Sequence, residues 1–137
     1  MADVAESLGK VPLFSGVKPK ELKKLARQLK ERTFAEGAMI AEEGKAGVGF
    51  FVIEDGSATV TIGGDTVRTL GPGDWFGEIA LIDDGPRSAT VVADSALRCR
   101  GMTAWEFRPF VQGHPEVAWP LLETLASRLR EAQARQS

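Results

Sequence analysis

The chain has 137 residues, of which 43% are hydrophobic and 26% charged, and its formal net charge is −2. This composition is that of an ordinary globular protein, and the length suits one domain, so we predict a single domain over residues 1–137. No apolar stretch approaches the roughly 20 residues that cross a bilayer, and the acidic N-terminus lacks the apolar run of a secretory signal. A single cysteine, Cys99, excludes an intrachain disulfide. We therefore expect a cytoplasmic protein without a membrane partner.

Positive charge is concentrated near the N-terminus. Between Lys18 and Arg32 there are seven bases and two acids, whereas residues 36–94 hold eleven acids and three bases. The only candidate for a nucleic-acid surface is therefore this basic segment, because such binding needs a basic face. Its cations alternate with apolar residues, which is typical of the solvated side of an amphipathic helix, so no nucleic-acid partner is expected. The cations are Lys18, Lys20, Lys23, Lys24, Arg27 and Lys30.

The first half of the chain predicts a helix followed by short strands. Residues 19–31 favour a helix because Pro19 suits a first turn and apolar residues recur at spacings of three and four. A short apolar anchor, Val11–Phe14, precedes it. Glycines then separate β-rich runs, and Gly63-Gly64-Asp65 fits a tight hairpin. The predicted strands are Phe50–Glu54, Ser57–Ile62, Thr66–Leu70, Thr90–Val92 and Ala96–Met102.

Two helices are predicted at the C-terminal end. Thr103 suits the cap of a helix over about residues 104–112, and a longer helix follows over about residues 115–134. The fold class is therefore α+β, an antiparallel β-roll or jelly-roll-like barrel over about residues 32–103. An N-terminal helix and the two C-terminal helices flank this roll.

The sequence matches none of the enzyme motifs that we compared with it. Gly37 and Gly44 enclose six residues where a phosphate loop has four, and Ala46 stands where that loop needs Ser or Thr. A metal-binding β-roll or a Ser-His-acid triad would depend on His114, the single histidine, which lies between the two predicted C-terminal helices. We therefore predict that the protein is not an enzyme and has no catalytic residue, metal or cofactor.

Residues 73–90 combine features that suit a sugar phosphate. After Gly77, residues 78–81 can form one helical turn, whose free amides attract an anion. Arg87 is one of three bases in the acidic middle of the chain, and a guanidinium binds phosphate through two parallel hydrogen bonds. Glu78 can accept a hydrogen bond from a sugar hydroxyl. The alternative is that Glu78 and Arg87 pair with each other across a turn, and their spacing leaves both interpretations open.

Two runs, Phe76-Gly77-Glu78-Ile79-Ala80-Leu81 and Pro86-Arg87-Ser88-Ala89-Thr90, resemble the phosphate-binding cassette of cyclic nucleotide-binding domains. Bacterial catabolite activator proteins and the regulatory subunits of cyclic AMP-dependent kinase contain such domains, and the resemblance extends over about residues 10–130. It implies that Glu78 holds the ribose 2′-hydroxyl and that Leu81 senses the ligand. The phosphate contacts it implies are the backbone of Gly77, Ile79 and Ala80, the side chain of Arg87, and amide or hydroxyl groups of Ser88 and Ala89.

The resemblance leaves recognition of the base open. Hydroxyl side chains late in the last helix contact adenine in catabolite activators, and the matching positions here are Ala132 and Gln133. Gln133 is a candidate for a hydrogen bond to the purine edge, and Arg128 is a candidate for covering its face. Kinase-type domains use an aromatic cap, but no aromatic residue follows Trp119. Cyclic AMP is the expected ligand rather than cyclic GMP, although a hydroxyl at position 88 is compatible with both.

The sequence thus predicts a second-messenger sensor that binds a 3′,5′-cyclic nucleotide without transforming it and signals to a downstream protein through movement of its C-terminal helices. The chain ends soon after the last predicted helix, so we expect a stand-alone module without an effector domain. The alternative is a scaffold or dimerisation domain that has lost useful ligand affinity.

The last predicted helix also has an apolar stripe with alternating spacings of four and three residues. Such a stripe favours a weak homodimer through this helix, whereas the alternative is that it packs on the domain's own roll. The seam positions are Ala118, Leu122, Leu125, Leu129 and Ala132, and the same spacing continues to the polar Gln136 just beyond the predicted helix end.

Overall fold

The structure is a computed structural model that describes residues 4–42, 44, 49–77 and 89–136. Helix α1 (Val4–Gly9), a 3-10 turn (Pro12–Phe14) and helix α2 (Pro19–Gln28) come first, and helices α3 (Ala104–Gly113) and α4 (Pro115–Gln136) come last. The strands between them are β1 (Lys30–Phe34), β2 (Met39–Ala41), β3 (Gly49–Asp55), β4 (Ala58–Ile62), β5 (Asp65–Leu70), β6 (Trp75–Phe76), β7 (Thr90–Ala93) and β8 (Leu97–Thr103).

The strands form two four-stranded sheets, with the orders β1-β8-β3-β6 and β2-β7-β4-β5. The strand pairs described in both sheets are antiparallel. One buried cluster joins the two sheets, since it contains Phe51 and Leu97 of the first together with Val60 and Val91 of the second. This arrangement confirms the predicted β-roll with its flanking helices. Helix α1, by contrast, was not predicted.

Strand β3 is buried on both of its faces. Phe51 and Ile53 belong to the cluster between the sheets, whereas Phe50 and Val52 belong to a second cluster formed with the helices. Successive side chains of a strand point to opposite faces, so one apolar run supplies both cores. Helix α3 packs on the outer face, where the Phe107 ring lies 5.2 Å from that of Phe50.

Helix α2 buries one side and exposes its cations on the other. Leu22 and Leu25 are buried, and the basic residues of the helix are exposed, as the amphipathic pattern predicts. The helix ends at Gln28 rather than near residue 31, because Leu29 is already extended and Lys30 pairs with Gly101 of β8. The hydrogen bonds to β8 therefore override the helical pattern of residues 29–31.

Two local predictions are confirmed. Gly63 and Gly64, between β4 and β5, have φ angles of 60° and 85°, the left-handed values that a type I′ hairpin turn needs. Thr103 and Glu106 form a capping box at the start of α3, in which the Thr103 hydroxyl and, at 3.1 Å, the Thr103 backbone N–H both donate to the Glu106 carboxylate. These hydrogen bonds hold the pKa of Glu106 below its usual value.

Within the described part of the chain, the helices are too short or too polar to cross a membrane.

The close approach of β8 to β3 makes a stability prediction. Gly101 lies opposite Phe51, and a Cβ at Gly101 would stand 2.5 Å from the Phe51 ring. We expect Gly101→Ala to lower the free energy of unfolding by about 1–3 kcal/mol, because the ring must shift inside a packed core. Urea unfolding measures this change. The control is Gly113→Ala, where no atom beyond the neighbouring residues and the helix's own backbone lies within 4 Å of the added carbon, so it should not destabilise and should stabilise by at most about 1 kcal/mol. Equal effects of the two substitutions would contradict this account of the core.

Candidate functional site

Only part of the predicted ligand site lies in the described structure. Gly77 and Ala89 are described, but the predicted phosphate and ribose residues between them are not. The predictions for these residues, and for the helical turn over residues 78–81, therefore lie outside the described structure. They concern Glu78, Ile79, Ala80, Leu81, Arg87 and Ser88.

The start of the cassette is fixed by a turn and a short strand. The backbone N–H of Gly71 donates to a side-chain oxygen of Asp74 at 2.8 Å, which closes the turn before β6. Strand β6 then pairs with the centre of β3, where Phe76 lies opposite Phe51 and their rings are 5.3 Å apart. The backbone is therefore anchored to the roll immediately before Gly77.

Gly77 has a φ of 99°, in the region that side-chain-bearing residues rarely adopt. Glycine lets the chain leave β6 here without the steric strain of a Cβ. The chain is described again at Ala89, which is half-buried and packs against the cluster between the sheets. Strand β7 follows and pairs with β2 and β4. The two ends of the cassette are thus held by different sheets, Gly77 next to the first and Ala89 next to the second.

Helix α4 contacts the strand that leads into the cassette. The Arg128 guanidinium donates a hydrogen bond to the backbone carbonyl of Trp75 at 3.3 Å, although 53 residues separate the two. Gln133 is exposed and lies five residues further along, which is about 140° around the helix. Of the two predicted base-binding residues, Arg128 therefore lies close to the start of the cassette, whereas Gln133 is on another side of the helix.

A second contact of α4 was not predicted from the sequence. The Arg68 guanidinium of β5 lies 2.6 Å from the Glu131 carboxylate of α4. The Arg68 side chain is 24% exposed and that of Glu131 is 45% exposed. The pair has a sequence separation of 63 residues, and no local pattern connects an exposed helical acid with a base on one particular strand.

Other described polar groups belong to the packing of the strands and helices. Glu54 and Arg100, on the paired strands β3 and β8, form a half-buried ion pair at 2.7 Å. Burial, together with the nearby Glu54 charge, raises the pKa of Cys99 to about 12, so this thiol stays protonated at neutral pH. His114 lies between α3 and α4, with its ring 4.9 Å from that of Phe110 and its Nδ1 3.5 Å from the Glu116 carboxylate.

Comparisons with known proteins agree with this architecture. The cyclic nucleotide-binding domain model matches residues 31–114. A CRP-like cAMP-activated global transcriptional regulator of Mycobacterium tuberculosis is 31% identical over 130 residues, which cover 91% of this chain and 58% of the regulator. The chain spans as little as 20% of the length of another curated relative. It therefore corresponds to one part of these longer proteins.

Solved structures give the same result. The regulatory domain of Toxoplasma gondii PKA with cAMP has a TM-score of 0.80 at 29% identity, over 91% of this chain and 49% of that one. The regulatory subunit of a cAMP-independent protein kinase A from Trypanosoma brucei has a TM-score of 0.81 at 25% identity, over 96% of this chain and 47% of that one. Because the family model covers more than half of its length, the chain belongs to the cyclic nucleotide-binding domain family.

Proposed function

We propose that this domain binds a 3′,5′-cyclic nucleotide, cyclic AMP rather than cyclic GMP, and acts as a cytoplasmic regulatory module without transforming the ligand. The observation that carries the proposal is the cassette sequence from Phe76 to Thr90, which keeps both Glu78 and Arg87 and lies within the region that matches the family. The choice of cyclic AMP is supported by one relative described as cAMP-activated and by one similar structure that contains cAMP.

In the proposed site the cyclic phosphate is bound by backbone amides and one cation. The amides of Gly77, Ile79 and Ala80 surround the phosphate oxygens, and the Arg87 guanidinium adds two charge-assisted hydrogen bonds. Groups of Ser88 and Ala89 complete this set of donors. The middle of the chain carries more acids than bases, so attraction of an anion must come from these local donors and not from a general positive field.

The proposed ribose and base contacts lie on either side of the phosphate. Glu78 accepts a hydrogen bond from the ribose 2′-hydroxyl, which selects ribose over deoxyribose. We assign the base contact to Arg128 in preference to Gln133, because the described contact with Trp75 holds Arg128 next to the strand that enters the cassette. A guanidinium in this position can cover the face of a purine, since Arg stacks readily on planar rings.

Helix α4 is the proposed output element. It carries Arg128, and it packs through Val117 and Leu121 on the helical core that also contains Phe107 and Phe110 of α3. A ligand that touches Leu81 and Arg128 would favour one position of this helix, to the extent that it binds that position more tightly. The proposed partner is a downstream protein that reads the position of α4.

The exposed face of α4 is relevant to the predicted homodimer. Leu121 is buried, but Leu122 and Leu129 are 55% and 59% exposed, so the apolar stripe does not pack entirely on its own roll. Homodimerisation through this helix therefore remains a prediction, and sedimentation of the purified domain at increasing concentration tests it. The two helical turns that separate these leucines offer only a short seam, which is why we expect weak association.

A scaffold that does not bind cyclic nucleotide is the second candidate function. It is favoured by the similarity to the regulatory subunit of a protein kinase A described as cAMP-independent, because that similarity means that the fold alone does not imply a response to cAMP. Calorimetric titration with cyclic AMP and cyclic GMP separates the two functions. If either nucleotide binds, the scaffold function is excluded. If neither nucleotide binds, the sensor function is excluded. Analysis of the nucleotide after incubation tests the proposal that it is not hydrolysed.

The first test of the site concerns Arg87. We expect cyclic AMP to bind with sub-millimolar affinity and Arg87→Leu to weaken binding by about 2–5 kcal/mol, because the phosphate loses a desolvated, charge-assisted contact. Calorimetry measures both constants. Arg98→Leu is the matched control, since Arg98 is an exposed cation on β8 and its removal changes the net charge equally. An Arg87→Leu variant that binds within about twofold of the parent would show that the phosphate site is elsewhere.

The second test concerns the ribose. The parent should bind cyclic AMP more tightly than 2′-deoxy cyclic AMP by about 1.5–3 kcal/mol, the value of a hydrogen bond to a charged acceptor. Glu78→Ala should remove most of this difference, and competition binding with the two nucleotides measures it. If parent and variant discriminate equally, Glu78 instead serves only as the partner of Arg87.

The third test concerns α4. Saturating cyclic AMP should slow amide hydrogen exchange in residues 117–134, because a ligand held by Arg128 orders the helix against the roll. Arg128→Ala should reduce this slowing, whereas Arg130→Ala, an exposed arginine on the same helix, should leave it intact. Exchange that does not change at saturating ligand would exclude α4 as the output element.

A further inference from the structure

Two described contacts attach the C-terminal half of α4 to the roll. In one the arginine belongs to the helix, and in the other it belongs to a strand. Arg128 reaches from the helix to the Trp75 carbonyl on β6, in the first sheet. Arg68 reaches from β5, at the edge of the second sheet, to Glu131 on the helix. The helix is therefore held from both sheets.

We propose that the Arg68–Glu131 ion pair is a positioning pair that holds α4 beside the nucleotide site before ligand arrives, and thereby determines part of the ligand affinity. This inference rests on the proposed function. Residues 128 and 131 are three apart, so their side chains are neighbours on one face of the helix. Fixing Glu131 against β5 therefore limits the rotation and tilt that would carry Arg128 away from Trp75, two residues before Gly77.

The expected size of the effect is modest. Exposed ion pairs change a local equilibrium by about 1.5-fold to fivefold. Arg68 is only 24% exposed at the described distance of 2.6 Å, which favours the upper part of this range. Apparent affinity falls in proportion to the population of the competent state, and the full factor is seen when that state is the minor one in the free domain, which a ligand that still orders the helix requires. On that basis, loss of the pair should raise the dissociation constant of cyclic AMP by about threefold to fivefold.

The charge of the ligand makes the two single variants informative. Cyclic AMP is an anion, so Glu131→Gln should strengthen binding if only the long-range charge mattered, and Arg68→Gln should weaken it. A positioning pair predicts weaker binding for both. Glu123→Gln removes the same charge from an exposed position of the same helix, so it serves as the control and should leave the affinity within about 1.5-fold of the parent.

The experiment compares the parent domain with Glu131→Gln, Arg68→Gln, Glu123→Gln and the exchanged pair Arg68→Glu with Glu131→Arg. Calorimetry with cyclic AMP at low salt gives the affinities. Amide exchange of residues 126–136 without ligand measures how readily this part of the helix opens, independently of binding. We expect both pair variants to bind about threefold to fivefold more weakly and to exchange faster, and the exchanged pair to recover both properties to within about twofold of the parent.

Several results would overturn the inference. They are unchanged or tighter binding in both pair variants, opposite effects that follow the charge of each variant, or an exchanged pair that recovers neither property. If the parent does not bind cyclic AMP, the proposed function fails. The exchange measurements without ligand then still decide the inference, because unchanged exchange in both single variants would show that the pair does not hold the helix.

Discussion

The burial of β3 on both faces is the constraint on which the rest of the structure depends. Its alternating side chains place Phe51 and Ile53 between the sheets and Phe50 and Val52 against the helices. The same strand pairs with β8 on one side and with β6 on the other. The start of the nucleotide cassette is therefore anchored to the segment that also supports the helical layer, and a shift of β3 would move both.

This arrangement separates a rigid frame from the contacts that can respond to a ligand. The aromatic rings of Phe51, Phe76 and Phe50 are packed inside the two cores, whereas α4 meets the roll near the cassette through exposed or half-buried charged groups. Packed aromatic contacts are costly to rearrange, but a partly solvated ion pair is worth little. The fold thus places partly solvated charged contacts, rather than packed aromatic ones, where the proposed signal requires movement.

The charge distribution has a related consequence. The chain combines the basic face of α2 with an acidic middle and has a formal net charge of −2, so its net charge does not attract an anionic ligand toward the proposed site. Recognition of a cyclic phosphate would have to rest on short-range donors, chiefly backbone amides and Arg87. Arg87, the one base within residues 73–90, is therefore more informative than the net charge of −2, because hydrogen bonds act at contact distance and are poorly screened.

Sequence alone determined the features that depend on neighbouring residues. The glycines at 63 and 64 require a tight turn, the spacing of Thr103 and Glu106 gives a helix cap, and the cassette motif indicates a family that the comparisons confirm. Tertiary structure decided the rest. Strands β2 and β6 have only three and two residues, and the residues of β1 are mostly exposed and polar. These strands form because distant strands supply their hydrogen bonds. The Arg128–Trp75 contact and the Arg68–Glu131 pair likewise depend on which face of α4 meets the roll, since contacts between residues more than 50 positions apart leave no local pattern to detect.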